Sequence, residues 1–272
     1  MTYNEIFKEL QDEGVPLADI KVIFDGYFKV DFNRLGIIGN DDKVSNQEYN
    51  DLIAKIKEGY PIAYLVGYTD ILSLHILLNE DTLIPRIETA DFIYSYIRDN
   101  YDFNYKKILD LCTGSGFIAI ALKKYFPSSF IDASDISDNA LQIAKQSALL
   151  NNKEINFIKS DFLKDIDSTY DVIICNPPYI EENNKDVDAP FEPALALYSG
   201  KDGLDSYRNI FSKLDSHLNK DGIAFFEMES TNVENTVNLF KNINKNEYEI
   251  KVIKDLYDRE RFLEVKKIIH QD

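Results

Sequence analysis

From Asn4 to about Gly67 the apolar side chains recur at three- and four-residue spacing, with Ile6, Phe7 and Leu10 in one cluster and Leu17, Ile20, Ile23 and Phe24 in the next. That period predicts helices. The sharpest segment is Ser45 to Gly59. Ser45 followed by Glu48 reads as a capping box, Tyr49, Leu52, Ile53 and Ile56 form one stripe, and Gly59 with Pro61 ends the helix. Between Tyr68 and Pro85 the run Ile71, Leu72, Leu74, Ile76, Leu77 suits a strand pair, with Asn79-Glu80-Asp81 as its turn. After Glu88 helical and extended segments alternate, which predicts a mostly parallel sheet covered by helices. Strands are expected at Lys107 to Leu111, Phe130 to Ser134, Asn156 to Lys159, Asp171 to Cys175 and Ile223 to Met228. Helices are expected at Phe117 to Tyr125, Asn139 to Asn151 and Leu204 to Leu218. Tyr248 to Ile253 and Arg261 to Lys267 both read as extended and close the sheet with an antiparallel hairpin. The expected organisation is a helical domain over 1–67, a hairpin linker over 68–86 and an α/β domain over 87–272.

Composition narrows the class without changing this picture. The 272 residues are 44% hydrophobic and 28% charged, ordinary for a folded soluble chain, and no apolar run approaches a membrane span. The N-terminal residues carry no basic leader or apolar core of a signal peptide, so the cytoplasm is the expected compartment. Acidic residues outnumber basic ones by 47 to 30, a net charge of -17, with no basic cluster. Such a chain repels nucleic-acid phosphates and suits a basic protein partner. No His, Cys or carboxylate cluster has metal-ligand spacing, and no metal is expected.

The segment Ile108-Leu109-Asp110-Leu111-Cys112-Thr113-Gly114-Ser115-Gly116-Phe117-Ile118-Ala119 reads as a buried strand, a glycine turn and a first helical turn. Asp135 follows the next strand, where a carboxylate can grip both hydroxyls of a ribose. Together they point to an adenosine-bearing cofactor. The pattern also satisfies the Gly-x-Gly-x-x-Ala dinucleotide fingerprint. A carboxylate beside the loop, such as Asp110, would oppose a pyrophosphate but suits the amino group and sulfonium of S-adenosylmethionine, which favours the methyl donor.

The strand Tyr170 to Cys175 ends in Asn176-Pro177-Pro178-Tyr179, at the sheet edge where α/β folds bind ligands. Two prolines remove two backbone donors, leaving the Asn176 side-chain oxygen and the Pro177 carbonyl as acceptors for a planar NH2 group. Tyr179 can stack on the flat system carrying that nitrogen. Such a nitrogen is a poor nucleophile. Two acceptors raise its electron density and aim it at an activated methyl, and alignment of this kind can supply roughly 7–11 kcal/mol of barrier reduction. The methylated nitrogen is a strong acid, so no base is needed, and His75, His217 and His270 are scattered. The quartet alone leaves adenine, cytosine, guanine and glutamine or asparagine amides open as targets.

Further segments make the chain resemble the bacterial protein-(glutamine-N5) methyltransferases that modify the Gly-Gly-Gln motif of class 1 peptide chain release factors. They are Pro61 to Gly67, Leu83-Ile84-Pro85-Arg86-Ile87-Glu88-Thr89, Phe191-Glu192-Pro193, Asp202 to Arg208, and Lys254-Asp255-Leu256 with Arg259 and Arg261. The resemblance covers nearly the whole chain. It implies a substrate-recognising helical domain, a hairpin linker and a Rossmann-like methyltransferase domain with a seven-stranded sheet. It also implies S-adenosylmethionine contacts from Cys112, Thr113, Gly114, Ser115 and Gly116, from Asp135, and from Asp161 and Phe162, which would meet the adenine amino group and ring; Asp110, Ile136 and Asn176 are further expected cofactor contacts. The target glutamine would sit on Asn176, Pro177, Pro178 and Tyr179, with Arg86, Glu88 and Thr89 at its entrance; for Arg86 and Glu88 the plainer reading is a surface ion pair. The expected partner is a class 1 release factor, with no membrane and no nucleic acid. Cys112, Ile87 and Phe162 depart from the glycine, proline and tryptophan frequent in relatives. Cys112 is shared with a sister group that methylates a large-subunit ribosomal protein, the runner-up substrate. A nucleobase amino methyltransferase and a non-catalytic cofactor-binding module are the remaining alternatives. Cys112 and Cys175 are expected as neighbouring free thiols, and Glu181 to Ala189 as a loop that orders on binding.

Overall fold

The computed structural model describes residues 1–40, 43–100, 107–184, 189–244 and 248–268. The chain divides into two compact units, Met1–Thr69 and Asp70–Asp272.

The first unit is helical: α1 (Tyr3–Asp12), α2 (Leu17–Val22) running into a π turn at Ile23–Tyr27, a 3-10 turn at Phe32–Arg34, α3 (Leu35–Ile38), α4 (Asn46–Lys57) and α5 (Ile62–Val66). Its core gathers the residues that set the helical period, Ile6, Leu10, Ile20, Ile23, Phe24 and Leu52, all fully buried. Ser45 caps α4 by accepting from Glu48 N at 3.1 Å, while the reciprocal capping box occurs at Thr2 and Glu5 on α1. Gly59 and Gly67 end α4 and α5 in the left-handed region, at φ +75° and +85°.

The hairpin pairs β1 (Tyr68–Ile71) with β2 (Leu74–Leu77). Its turn is Leu72-Ser73, both at positive φ (50° and 56°), rather than Asn79-Glu80-Asp81, which forms a separate turn after β2. The hairpin turn lacks the glycine or asparagine that favours this backbone, so the residue types gave no sign of it. β2 docks on a later helix, α8: Leu77 N donates to Ser147 Oγ and His75 N to Asn151 Oδ1.

The second unit then runs α6 (Ile87–Asp99), β3 (Lys107–Leu111), α7 (Phe117–Tyr125), β4 (Phe130–Asp135), α8 (Asp138–Leu150), β5 (Asn156–Lys159), β6 (Tyr170–Cys175), α9 (Ala194–Leu197), α10 (Asp205–His217), β7 (Leu218–Glu227), α11 (Val233–Ile243), β8 (Tyr248–Lys254) and β9 (Glu260–Lys267). One seven-stranded sheet has the order β5-β4-β3-β6-β7-β9-β8, with β9 antiparallel to both neighbours and the rest parallel. The expected α/β architecture with its C-terminal antiparallel hairpin is therefore present. The chain leaves β3 toward β4 and β5, then returns to β6 on the other side of β3. Adjacent parallel strands whose connections depart in opposite directions open a crevice at their carboxyl ends. Cys112 and Asn176 follow those two ends.

The two faces of β7 show how the sheet is held. Phe226 is fully buried and meets Phe211 of α10, which in turn meets Phe240 of α11. Phe225 points the other way, to Phe92 of α6, which also stacks on Phe262 at 4.1 Å. Phe226→Ala is expected to lower unfolding free energy by about 3–5 kcal/mol, measured by chemical denaturation.

Candidate active site

A cavity of about 500 Å³ opens at the β3/β6 crevice, of a size that takes a nucleoside-containing ligand. Its floor is the turn after β3. Cys112, Gly114 and Gly116 all lie in the left-handed region, at φ 62°, 52° and 83°. Nothing lies within 4 Å of where a Gly114 side chain would begin, whereas one at Gly116 would sit 3.0 Å from Ala144 Cβ. Gly114 thus bares backbone at the cavity floor, and Gly116 lets α8 approach the turn. The positive φ at Cys112 supplies the physical reason a glycine suits that position.

Asp110 is completely buried beneath the turn and does not line the cavity. Its Oδ2 accepts from Thr113 Oγ1 at 2.5 Å and from Ala119 N at 3.0 Å, stapling strand, turn and helix together. Burial pushes its carboxyl up to about 7. The expectation that Asp110 meets the ligand is corrected: its residue type is used to hold the loop. The negative lining comes instead from Asp81, Asp135 and Asp161, against Arg86 alone among the described residues. That balance favours a cationic ligand over a pyrophosphate.

Asp135, at the end of β4, accepts from Gly114 N and from Ser137 N, both at 2.9 Å, one on each oxygen. The carboxylate keeps acceptor capacity for a ribose hydroxyl. Burial raises its pKa. Thr113, Ser115, Ile136, Asp161 and Phe162 also line the cavity. Phe162 is held at φ 51° by a turn in which Ser160 Oγ donates to its carbonyl.

On the opposite wall stands Asn176. Its Nδ2 donates to Thr89 Oγ1 of α6 at 3.4 Å, leaving Oδ1 as its free end. Thr89 donates in turn to Glu227 Oε2 at 2.6 Å, and Tyr179 OH to Glu227 Oε1 at 3.2 Å. Asn176, Pro178 and Thr89 line the cavity. Pro177 is buried, and Tyr179 is half-buried with its hydroxyl turned to Glu227. The 202–204 segment supports the quartet from behind. A side chain on Gly203, which sits at φ +72°, would come 2.5 Å from the Tyr179 carbonyl. Gly203→Ala should therefore cost about 2–4 kcal/mol of stability, read by denaturant titration; an unchanged midpoint would contradict the contact.

Arg86 and Glu88 do not pair with each other. Arg86 Nη2 lies 2.6 Å from Glu192 Oε1, and Glu192 Oε2 also accepts from Ile84 N, so the 83–86 strap is tied to the Phe191-Glu192-Pro193 segment across the cavity rim. Glu88 does not line the cavity and binds Arg259 at 2.8 Å. The partners are separated by more than a hundred residues in sequence, so the plainer alternative of an Arg86–Glu88 ion pair does not hold. Glu227 was overlooked altogether, although a lone carboxylate in the apolar run Ile223-Ala224-Phe225-Phe226-Glu227-Met228 was a visible signal.

Cys112 and Cys175 are free thiols, and burial, with Cys112 beside it, pushes Cys175 well above the usual thiol range. His75 pairs with Asp70, His217 bonds to Ile166 O, and neither lines the cavity; His270 lies outside the described residues. In the segment expected to order on binding, Glu182 N bonds Gly200 O at 3.0 Å, and residues 185–188 lie outside the described residues.

Residues 89–192 match the family model described as Methyltransferase small domain. The release factor glutamine methyltransferase of Flavobacterium psychrophilum is 35% identical over 235 residues, covering 82% of this chain and 81% of its own. That of Bacteroides thetaiotaomicron is 34% identical over 80% of each chain, and that of Streptococcus pneumoniae 29% identical over 97% of this chain and 96% of its own. Among solved structures, a methyltransferase from Pyrococcus furiosus superposes with a TM-score of 0.55 at 20% identity, over 81% of this chain and 100% of that one. A ribosomal protein L11 methylase from Lactobacillus delbrueckii subsp. bulgaricus gives 0.52 at 23% identity, over 71% and 84%. These structural likenesses are of fold. The lengthwise sequence identity goes further: the chain belongs to the release factor glutamine methyltransferase family.

Proposed function

We infer that the protein transfers a methyl group from S-adenosylmethionine to the side-chain amide nitrogen of a glutamine in a peptide chain release factor. The observation that carries this reading is the Asn176 amide, anchored by its NH2 end to Thr89 and facing a cavity shared with the Gly114 turn and Asp135. The residues present fit the methyl donor. Bare backbone at Gly114 can lie against it, the remaining acceptor capacity of Asp135 suits a ribose hydroxyl, Asp161 and Phe162 suit an adenine, and the acidic lining suits its positive charges. When bound, the donor supplies a sulfonium-activated methyl group.

The chain's own residues do the rest by orientation. Asn176 Oδ1 and the Pro177 carbonyl accept the two hydrogens of the planar amide, which holds its nitrogen in line with the methyl. The methylated nitrogen gives up its proton to water or a nearby carbonyl, so no histidine is required. The Gly-Gly-Gln glutamine of class 1 factors is the target implied by the motif resemblance. A net charge of -17 suits a basic domain that enters ribosomal RNA. Residues 1–67 form the substrate-recognition domain in this reading, with 68–86 as linker to the methyltransferase domain.

The test incubates the protein with isotopically labelled S-adenosylmethionine and, separately, a class 1 release factor, large-subunit ribosomal proteins and nucleic acid, then locates the label by mass spectrometry. Label on a release-factor glutamine is expected. Label confined to a ribosomal protein or a nucleobase would overturn the assignment.

A further inference from the structure

Asn176 serves the methyl-transfer reading, on which this inference rests, only if the oxygen of its amide and not its NH2 faces the incoming nitrogen. The two ends of an amide have nearly the same shape, so packing does not choose between them. Hydrogen bonding does. The NH2 end of Asn176 meets Thr89 Oγ1 at 3.4 Å, and the Thr89 hydroxyl meets Glu227 Oε2 at 2.6 Å. A hydroxyl has one proton to give. When a carboxylate takes it, Thr89 turns a lone pair toward Asn176, which only the NH2 end can satisfy.

We propose that Thr89 and Glu227 are positioning residues that set the polarity of the Asn176 amide, the ionised Glu227 carboxylate fixing the Thr89 hydroxyl so that Asn176 presents Oδ1 to the substrate. Glu227 is 2% exposed at the end of β7. Thr89 and Glu88 face it from α6, Tyr179 from the segment after β6 and Arg261 from β9, while Tyr207 of α10 donates to its backbone carbonyl at 2.6 Å. Thr89 and Tyr179 each donate to one of its oxygens, an arrangement that suits the ionised form. Arg261 also favours that form and Glu88 opposes it, although the charge of Glu88 is shared with Arg259.

Burial pushes the Glu227 carboxyl up to about 7, against the pull of Thr89, Arg261 and Tyr179. Below that pH the protonated carboxyl donates to Thr89, and the freed Thr89 proton turns to Asn176. The amide then reverses and opposes the substrate's NH2 with its own. The active form is the ionised one, so activity rises as pH rises through about 7.

The experiment measures kcat and KM for glutamine methylation against pH at saturating donor in wild type, Thr89→Ser, Thr89→Val and Glu227→Gln, with donor Kd determined for each by calorimetry. Wild type should show an acid limb with its midpoint near 7. Thr89→Val keeps the shape without the hydroxyl and should lose about tenfold in kcat with donor Kd unchanged, while Thr89→Ser restores most of it and keeps the limb. Glu227→Gln should flatten the limb. Wild-type kcat in Thr89→Val, or an acid limb that survives in Glu227→Gln, would overturn the proposal while leaving the methyl-transfer reading intact. A wild-type protein that methylates no glutamine overturns that reading first, and the proposal with it. The Thr89→Val arm decides the matter even if Glu227→Gln does not fold.

Discussion

Asn176→Ala is expected to lower kcat for glutamine methylation by about 10²- to 10³-fold while leaving S-adenosylmethionine affinity nearly unchanged. The magnitude follows from removing one preorganised polar group aimed at the reacting centre, which typically costs about 2.7–4 kcal/mol of barrier stabilisation. The split between kcat and donor affinity follows from position. Asn176 stands on the β6 side of the crevice, whereas the glycine turn and Asp135 follow β3 and β4. Single-turnover kinetics with saturating donor, beside calorimetric donor titration, separate the two effects. Wild-type kcat in this variant would mean that another group holds the nitrogen.

Asp135→Ala has the opposite signature. It should raise the donor Kd by about 10- to 100-fold, the loss of one or two hydrogen bonds to a charged acceptor, with kcat at saturating donor changed much less. Part of the effect is indirect, because Gly114 N and Ser137 N both lose their acceptor and the turn beneath the ligand loosens. Asp135→Asn keeps the shape but sets an NH2 end against one of those two backbone donors, so it should also bind the donor more weakly than wild type. Unchanged Kd in both variants would remove Asp135 from the ligand's surroundings.

Local signals in the residues carried much of this molecule, and the exceptions have physical causes. Phe117–Tyr125 has the bounds expected from the sequence because a glycine turn precedes a clean apolar run. The helices Ile87–Asp99 and Val233–Ile243 were not delimited, and neither has a side-chain cap to mark its start. The hairpin turn at Leu72-Ser73 was hidden because its backbone is fixed by the strands it joins and not by its residue types. At the site, Asn176, Asp135 and the glycine turn could be found because each sits at or directly after the carboxyl end of a strand. The Asp110 staple, the Arg86–Glu192 tie and the Glu227–Thr89 contact could not, since the second and third join residues 106 and 138 positions apart and the first depends on which way a buried carboxylate points.

The most direct measurement is an experimental structure of the protein with S-adenosylhomocysteine and a glutamine-bearing release-factor domain bound. Asn176 Oδ1 and the Pro177 carbonyl should each lie about 2.7–3.2 Å from the glutamine amide nitrogen, with that nitrogen directed at the sulfur. A glutamine whose carbonyl oxygen meets Asn176 instead, or a release factor seated away from the cavity between β3 and β6, would contradict it.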